Sequence, residues 1–209
     1  MLMAVSDHEL MRRLQSGDLV AFDELVCRWQ RPLSHILARL YDAGSAHPQG
    51  VSAAVDCDDL TQEIFLKVYQ ARKRYRPTAE FSTWLYRIAI NTTRDAARRN
   101  RRRPSVPLNG QSTNNGKYTT DDETSVRDIP ARDDAEDLAA INERRNLVNA
   151  ALQSLPTKLK EPLVLRHYTE LTFPQIAEVL KVPCTTIKSR VHLALKQLEQ
   201  ELRRLGVHE

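Results

Sequence analysis

From Pro104 to Asp134 the chain opens with PSVPLNGQSTNNGKYTTDDETS and stays rich in Ser, Thr, Asn, Gly and Asp. Apolar residues are sparse there and follow no period. The segment cannot bury enough surface to offset its ordering entropy. It therefore reads as a linker, 104–134, and obliges the chain to build two separate units, 1–103 and 135–209. No internal repeat of solenoid length offers another architecture.

Both units read as all helix. In the first, Ser6 and Glu9 form a capping box ahead of Leu10 and Leu14, and Gly17 is a natural stop. Asp18 caps a second helix whose inward residues are Phe22, Leu25, Val26, Trp29, Leu33, Ile36, Leu37 and Leu40, at helical spacing. Pro32 falls inside it, where a proline can kink a helix. Residues 42–57 read as a loop. A third helix starts near Asp58, with Asp58, Asp59 and Glu63 toward its positive end, and buries Leu60, Ile64, Phe65 and Val68. A fourth starts at Ser82 and runs through Trp84, Leu85, Ile88 and Ala89 into the tail Arg98–Arg103.

In the second unit, residues 138, 141, 147, 148, 151, 152 and 155 form one apolar helical set, and Pro156 starts the next helix. Pro162, near the first turn of that helix, leaves a carbonyl near Lys158 without a helical partner. Thr172 and Gln175 make another capping box, ahead of Ile176, Ala177, Val179 and Leu180. Lys181, Val182 and Pro183 form a short turn. The last helix, from about Cys184 to Leu205, places Ile187, Val191, Ala194, Leu195, Leu198, Leu202 and Leu205 on one stripe.

Composition narrows the classes. The 41% hydrophobic content is enough for folded cores, but apolar runs last only a few residues, so no membrane-spanning helix is expected. Met1–Glu9 lacks a basic segment followed by an apolar one, so no signal peptide is expected. Cys27, Cys57 and Cys184 are odd in number, widely spaced and not CxxC, which disfavours a disulfide scaffold and makes the cytoplasm the default. The net charge of +4 hides an uneven partition. Residues 1–103 carry 17 Lys+Arg against 12 Asp+Glu, 104–137 carry 3 against 8, and 138–209 carry 11 against 7. Two basic blocks around an acidic one suggest two nucleic-acid-facing modules.

Three constellations carry chemistry. TFPQIAEVLKVPCTTIKSRVHLAL is a capped helix, a turn and a longer helix. Ala177 permits a close crossing. Thr185, Thr186, Lys188, Ser189, Arg190 and His192 lie off the apolar stripe, at the end a helix-turn-helix inserts into the major groove. A plain helical hairpin with a solvated polar face is the alternative. FSTWLYRIAINTTRDAARRNRRR sets Arg87, Arg94, Arg98, Arg99, Arg101, Arg102 and Arg103 on a helix and its tail, beside Phe81, Trp84 and Tyr86. Guanidinium groups bind phosphate, exposed aromatics stack on unpaired bases, and Asn91 can bond a base edge. Trp84 is more often core than platform. In DCDDLTQEIFLKVYQ, Asp59, Gln62, Glu63 and Leu66 share a helix face. That face is a basic partner's contact or a solvated helix start. A metal site lacks a histidine at ligand spacing.

Taken together and in this order, these segments resemble bacterial RNA polymerase sigma factors of the sigma-70 family, in particular the short extracytoplasmic-function group. The resemblance covers roughly three quarters of the chain. It implies an all-α protein with region 2 at 1–103, a flexible acidic linker and region 4 at 135–209. DDLTQEIFLKVYQ is similar to the core-polymerase-binding helix, which implies that Asp59, Gln62, Glu63 and Leu66 meet the clamp helices of the β′ subunit. FSTWLYRIAINTTRDAARR is similar to the helix that recognises and opens the −10 element, which implies −10 DNA contacts for Trp84, Arg87, Asn91, Arg94 and Arg98. The segment from LQSLPTKLKEPL to LALKQL is similar to region 4. That implies −35 contacts for Thr185, Thr186, Lys188, Ser189, Arg190 and His192, and docking on the β flap. Core RNA polymerase, promoter DNA and an anti-sigma factor are the implied partners, with no catalytic residue, no metal, no cofactor and no membrane insertion. The net of −5 over 104–137 suits a channel that normally holds RNA.

Three departures from the family pattern stand out. Lys181 occupies a turn position where the family usually has Gly, which costs an L-residue a left-handed backbone. Leu193 and Leu195 stand where the family often has Arg; Leu193 projects toward the DNA side, suited to a thymine methyl. Residues 42–57 form a longer connection than expected, either an inert insertion or a contact for a regulator. Two other classes remain. A stand-alone helix-turn-helix regulator needs an effector or receiver domain, for which 1–103 shows no pattern. A metal-dependent nuclease would use Asp58, Asp59 and Glu63.

Overall fold

The structure is a computed structural model that describes residues 5–40, 57–102 and 134–206, with side chains over 5–40, 57–99 and 143–206. The expected linker, apart from Asp134 at the start of α5, and nearly all of the 42–57 loop lie outside the described residues. Among the described residues the chain is helical throughout, with no strand. The helices are α1 (Asp7–Gln15), α2 (Leu19–Leu40), α3 (Cys57–Ala71), α4 (Phe81–Arg102), α5 (Asp134–Ser154), α6 (Thr157–Tyr168), α7 (Phe173–Leu180) and α8 (Cys184–Arg204), with a 3₁₀ turn at Arg72–Arg74.

Local chemistry sets most boundaries. The Ser6 hydroxyl accepts from the Glu9 amide at 3.3 Å and opens α1. Gly17, at φ 101°, ends it in a backbone region that glycine enters without strain. Asp18 accepts from the amides of Val20 and Ala21 at 3.0 and 3.4 Å, satisfying donors that the first turn of α2 leaves open. Pro32 sits inside α2 without ending it. Pro162 likewise lies in the middle of α6, buried in the core. The turn after α3 is held from the side: the Gln15 amide nitrogen donates to the carbonyls of Arg72 and Tyr75 at 2.8 and 3.0 Å.

In the N-terminal bundle α2 packs on α1 and α3, and α4 closes the other side of α3. The expected inward residues of α3 are buried, and so are Leu25, Leu33, Ile36 and Leu37 of α2. An aromatic cluster ties α2 to α4. Trp29 meets Phe81 and Tyr86 edge-on at 5.7 and 5.9 Å, and Tyr75 meets Phe81 and Trp84 at 6.1 and 4.9 Å. Phe81 and Tyr86 are therefore core, not exposed stacking platforms. Sequence spacing had left both beside the arginines, but Phe81 opens the helix facing Trp29, and Tyr86 lies on the same inner side.

In the C-terminal bundle α8 packs on α6, α5 and α7. Ile187, Val191 and Ala194 are buried, and Leu198 and Leu202 are half-buried. Leu195 and Leu205, expected on the same stripe, are each 42% exposed. Leu195 lies about 80° around the helix from Ile187, at the edge of the buried arc. Leu205 is in register, but α8 has 21 residues against 12 in α6 and outruns its partner. The two bundles also touch, α2 against α5 and α6, and α4 against α7, so that one apolar cluster continues through both.

Candidate nucleic-acid interface

On α3 the buried stripe of Leu60, Ile64, Phe65 and Val68 leaves Asp59, Gln62 and Leu66 exposed, with Glu63 between them at the edge of α4. The expected face is thus real. Leu66 is 55% exposed on an otherwise polar face. Glu63 also works inward: it pairs with Arg99 of α4 at 2.8 Å and with Lys67 at 2.9 Å. Lys67 in turn donates to the Thr92 hydroxyl at 3.0 Å, and that hydroxyl donates to the Ile88 carbonyl. The hydrogen bond from Arg99, with help from Lys67, holds the Glu63 carboxyl below the ordinary carboxylate range despite partial burial. Among the described residues no three His, Cys, Asp or Glu side chains group as metal ligands, so the acidic start of α3 has no metal-site geometry.

On α4 the inner side carries Phe81, Thr83, Leu85, Tyr86, Ala89, Ile90, Thr92, Thr93 and Ala96. Asn91 is exposed. Trp84 is half-buried, seated against Tyr75 and Phe81. Each of the four arginines with a described side chain between residues 90 and 99, or before them at 87, meets a carboxylate. Arg98 pairs with Asp95 at 2.6 Å within the helix, and Arg99 with Glu63 across to α3. Arg87 and Arg94 reach the other bundle: Arg87 pairs with Glu178 of α7 at 2.7 Å, and Arg94 grips both oxygens of Glu161 of α6. The Glu161 side chain is 7% exposed, and its hydrogen bonds hold the Arg94 guanidinium above its ordinary range. Arg101 and Arg102 close α4 without described side chains, and Arg103 lies outside the described residues.

On α7 and α8 the sequence reading holds closely. Both capping-box bonds are present, from the Gln175 amide to Thr172 at 3.5 Å and from the Thr172 amide to Gln175 at 2.8 Å. Lys181 adopts φ 55°, ψ 48°, the left-handed turn that its place between the helices demands. The Val182 amide closes the turn on the Ala177 carbonyl at 3.1 Å. Thr185, Lys188, Ser189 and His192 are exposed, while Thr186 and Arg190 are half-buried at the flanks. Leu193 stands 46% exposed beside them.

The residues that sequence reasoning missed are Glu161 and Glu178. Their partners lie 67 and 91 positions away, and only the docking of the two bundles brings them together.

Two helical bundles, one with an arginine-lined helix and one with a helix-turn-helix, define a two-module nucleic-acid-binding protein. Residues 25–103 match sigma-70 region 2 and residues 145–198 match sigma-70 region 4. The RNA polymerase sigma-H factor of Pseudomonas aeruginosa is 31% identical over 98% of both chains. The ECF RNA polymerase sigma-E factor of Haemophilus influenzae is 30% identical over 96% of this chain and 97% of its own. The chain belongs to the sigma-70 family, in its extracytoplasmic-function group. The fold agrees with the solved structure of CnrH in complex with the cytosolic domain of CnrY, at a TM-score of 0.63 and 23% identity over 95% of this chain and 97% of that one. The N-terminal half matches region 2, so it is not the effector or receiver domain that a stand-alone regulator needs.

Proposed function

We infer that this chain joins core RNA polymerase, directs it to promoters through −10 and −35 recognition, and assists strand opening without catalysing a reaction itself. The observation that carries this is the pairing of two modules in order on one chain: residues 25–103 match sigma-70 region 2 and residues 145–198 match sigma-70 region 4. Asp59, Gln62, Glu63 and Leu66 meet the β′ clamp helices; Leu66 is an apolar contact that solvent alone does not reward. Arg87, Arg94 and Arg98 bind −10 phosphates, and exposed Asn91 holds an unstacked base. Trp84, seated in the aromatic cluster, is a wall of that site and not a free platform. Strand opening then needs no ATP: bases that unstack are trapped on the protein, which shifts an existing equilibrium.

Thr185, Thr186, Lys188, Ser189, Arg190 and His192 face the −35 major groove, with Leu193 offering apolar contact to a thymine methyl. Region 2 spans 1–103, the linker 104–134 and region 4 135–209, the last docking on the β flap. An anti-sigma factor is a further partner; the similar fold of RpoE was solved with the anti-sigma factor NepR, at 17% identity and a TM-score of 0.52. No described helix is long and apolar enough to cross a membrane. We place the protein in the cytoplasm, where its polymerase and DNA are.

Reconstitution with core polymerase, followed by mapping of transcription starts on genomic DNA, tests the whole reading. Starts that appear only with this protein are expected; their absence would refute it. Asn91→Ala should weaken open-complex formation more than −35 protection in footprinting. Equal loss of both would remove Asn91 from the −10 pocket.

A further inference from the structure

We propose that a cavity lined by α1, α2, α4 and the turn after α6 is a binding site for an organic cation, an ammonium group carried on an apolar body. The cavity has a volume of about 750 Å³ and opens where the start of α1, the middle of α2 and the start of α4 face that turn. Sites for small organic molecules run from about 300 to 1,000 Å³. Rings form much of its wall: Trp29, Phe81 and Tyr86 from one side and Tyr168 from the other. Ring faces attract cations and also cover an apolar body. The charge that the cavity selects follows from which of its groups are already paired. Arg28 and His8 are its basic residues, and both are engaged. Arg28 donates to the Val5 carbonyl, to Asp7 and to Glu24. The His8 Nδ1 lies 2.6 Å from the Tyr75 hydroxyl, and its Nε2 faces Glu80 at 4.0 Å. An anion therefore meets no unpaired cation on these walls.

The acidic residues divide differently. Asp7 is engaged, by Arg28 and by the Trp29 indole N–H at 3.1 Å. Glu80 and Glu170 are exposed; Glu170 pairs with no described residue, and Glu80 meets only the His8 nitrogen. They are the carboxylates that an ammonium group can take. Tyr86 supplies an independent sign of a ligand. It is 4% exposed, yet its hydroxyl bonds to no described residue. That oxygen is not among the sealed, unpaired atoms, which are Arg39 Nε, Thr83 Oγ1 and Arg87 Nε, so it faces the cavity that Tyr86 lines. A hydroxyl so deeply placed is costly to leave without a partner, and an ammonium N–H supplies one. Burial, helped by the Glu170 carboxylate, pushes Tyr86 up to about 12, and burial with Asp7 and Glu80 does the same to Tyr75. Two phenols thus feel the negative field that favours a cation. A metal ion fits less well, because among the described residues no three His, Cys, Asp or Glu side chains group as ligands.

The test is isothermal titration calorimetry of the full chain at pH 7 with three probes of one shape and different charge. They are para-xylylenediamine, a dication; para-benzenedimethanol, which is neutral; and terephthalate, a dianion. The diamine should bind one to one, and the other two at least about tenfold more weakly. Glu80→Gln with Glu170→Gln should weaken the diamine about tenfold, and both side chains are exposed, so the variant keeps its fold. Glu199→Gln with Glu201→Gln removes the same charge from α8, outside the cavity, and should leave affinity unchanged. Tyr86→Phe should weaken the diamine about fivefold with the circular dichroism spectrum unaltered. That variant separates the cavity from loose pairing of an ammonium with surface carboxylates. No saturable binding of the diamine, equal binding of terephthalate, an equal loss in both double variants, or an unchanged affinity in Tyr86→Phe would each overturn the proposal.

Discussion

Replacing Lys181 by glycine should stabilise the C-terminal bundle, although it deletes a side chain and adds none. Lys181 sits at φ 55°, ψ 48°, where the Cβ of an L-residue crowds the following carbonyl and costs about 1–2 kcal/mol. Glycine removes that crowding but loses about 0.5–1 kcal/mol more than other residues through its freer unfolded chain. The backbone bonds of the turn, to the Ala177 carbonyl, need no side chain and survive. The Lys181 side chain is exposed, so little packing is lost. The net expectation is a gain of about 0.5–1 kcal/mol. Urea denaturation followed by circular dichroism measures it directly. In a thermal melt 1 kcal/mol corresponds to about 2–4 °C if both bundles melt together and about 4–8 °C if the C-terminal one melts alone. Lys181→Ala is the control, because it removes the same side chain and keeps the Cβ; it should fall within about 0.5 kcal/mol of the wild type. If glycine is no more stable than alanine, backbone strain at this turn is not real.

Leu66→Glu should weaken binding to core polymerase by about five- to thirtyfold, the loss of about 1–2 kcal/mol from an apolar interface contact. Its urea midpoint should not move, since the side chain already lies in solvent; a pull-down at unchanged affinity would count against the α3 interface. Glu63→Gln should lose about 1 kcal/mol at pH 7. The Arg99 bond depresses the folded-state value, so the stabilisation is present above the ordinary carboxyl value of 4.5 and fades as pH falls through the folded value. Wild-type and variant midpoints should therefore converge in acid, and a gap that persists there would assign the loss to packing. Burial pushes Tyr86 up to about 12 from 10.0. Its contribution is whole below pH 10.0 and is lost as pH rises toward 12, up to about 3 kcal/mol. Tyr86→Phe should flatten part of the alkaline decline in a pH series of urea midpoints, and an identical decline would mean the ring is not shielded.

Much of the fold was legible because it depends on signals close together in the chain. The box at Thr172 and Gln175, the stop at Gly17 and the buried stripe of α3 each need only a few neighbouring residues. The left-handed backbone at Lys181 was legible through the family resemblance, which usually places Gly at that turn position. Where the reading failed, a third element decided. Leu195 lies at the edge of the buried arc, and Leu205 is in register but beyond the reach of α6, and neither the width of that arc nor the end of α6 is encoded in the periodicity of α8. Phe81 and Tyr86 looked available beside the arginines until Trp29, more than fifty positions earlier, took both.

The arginines of α4 show a deeper limit. A run of guanidinium groups in sequence states how many phosphates a helix can neutralise. It does not state what those groups hold before DNA arrives. Arg98 and Arg99 hold carboxylates of their own bundle, at Asp95 and Glu63, and these exposed or shallow pairs exchange for phosphate at little cost. Arg94 holds Glu161, and that exchange strands a buried charge unless the bundles separate. The same residue type on the same helix thus answers DNA on different terms, according to the burial of its partner. Glu161 therefore governs how readily α4 can be used, although it belongs to neither DNA-reading surface.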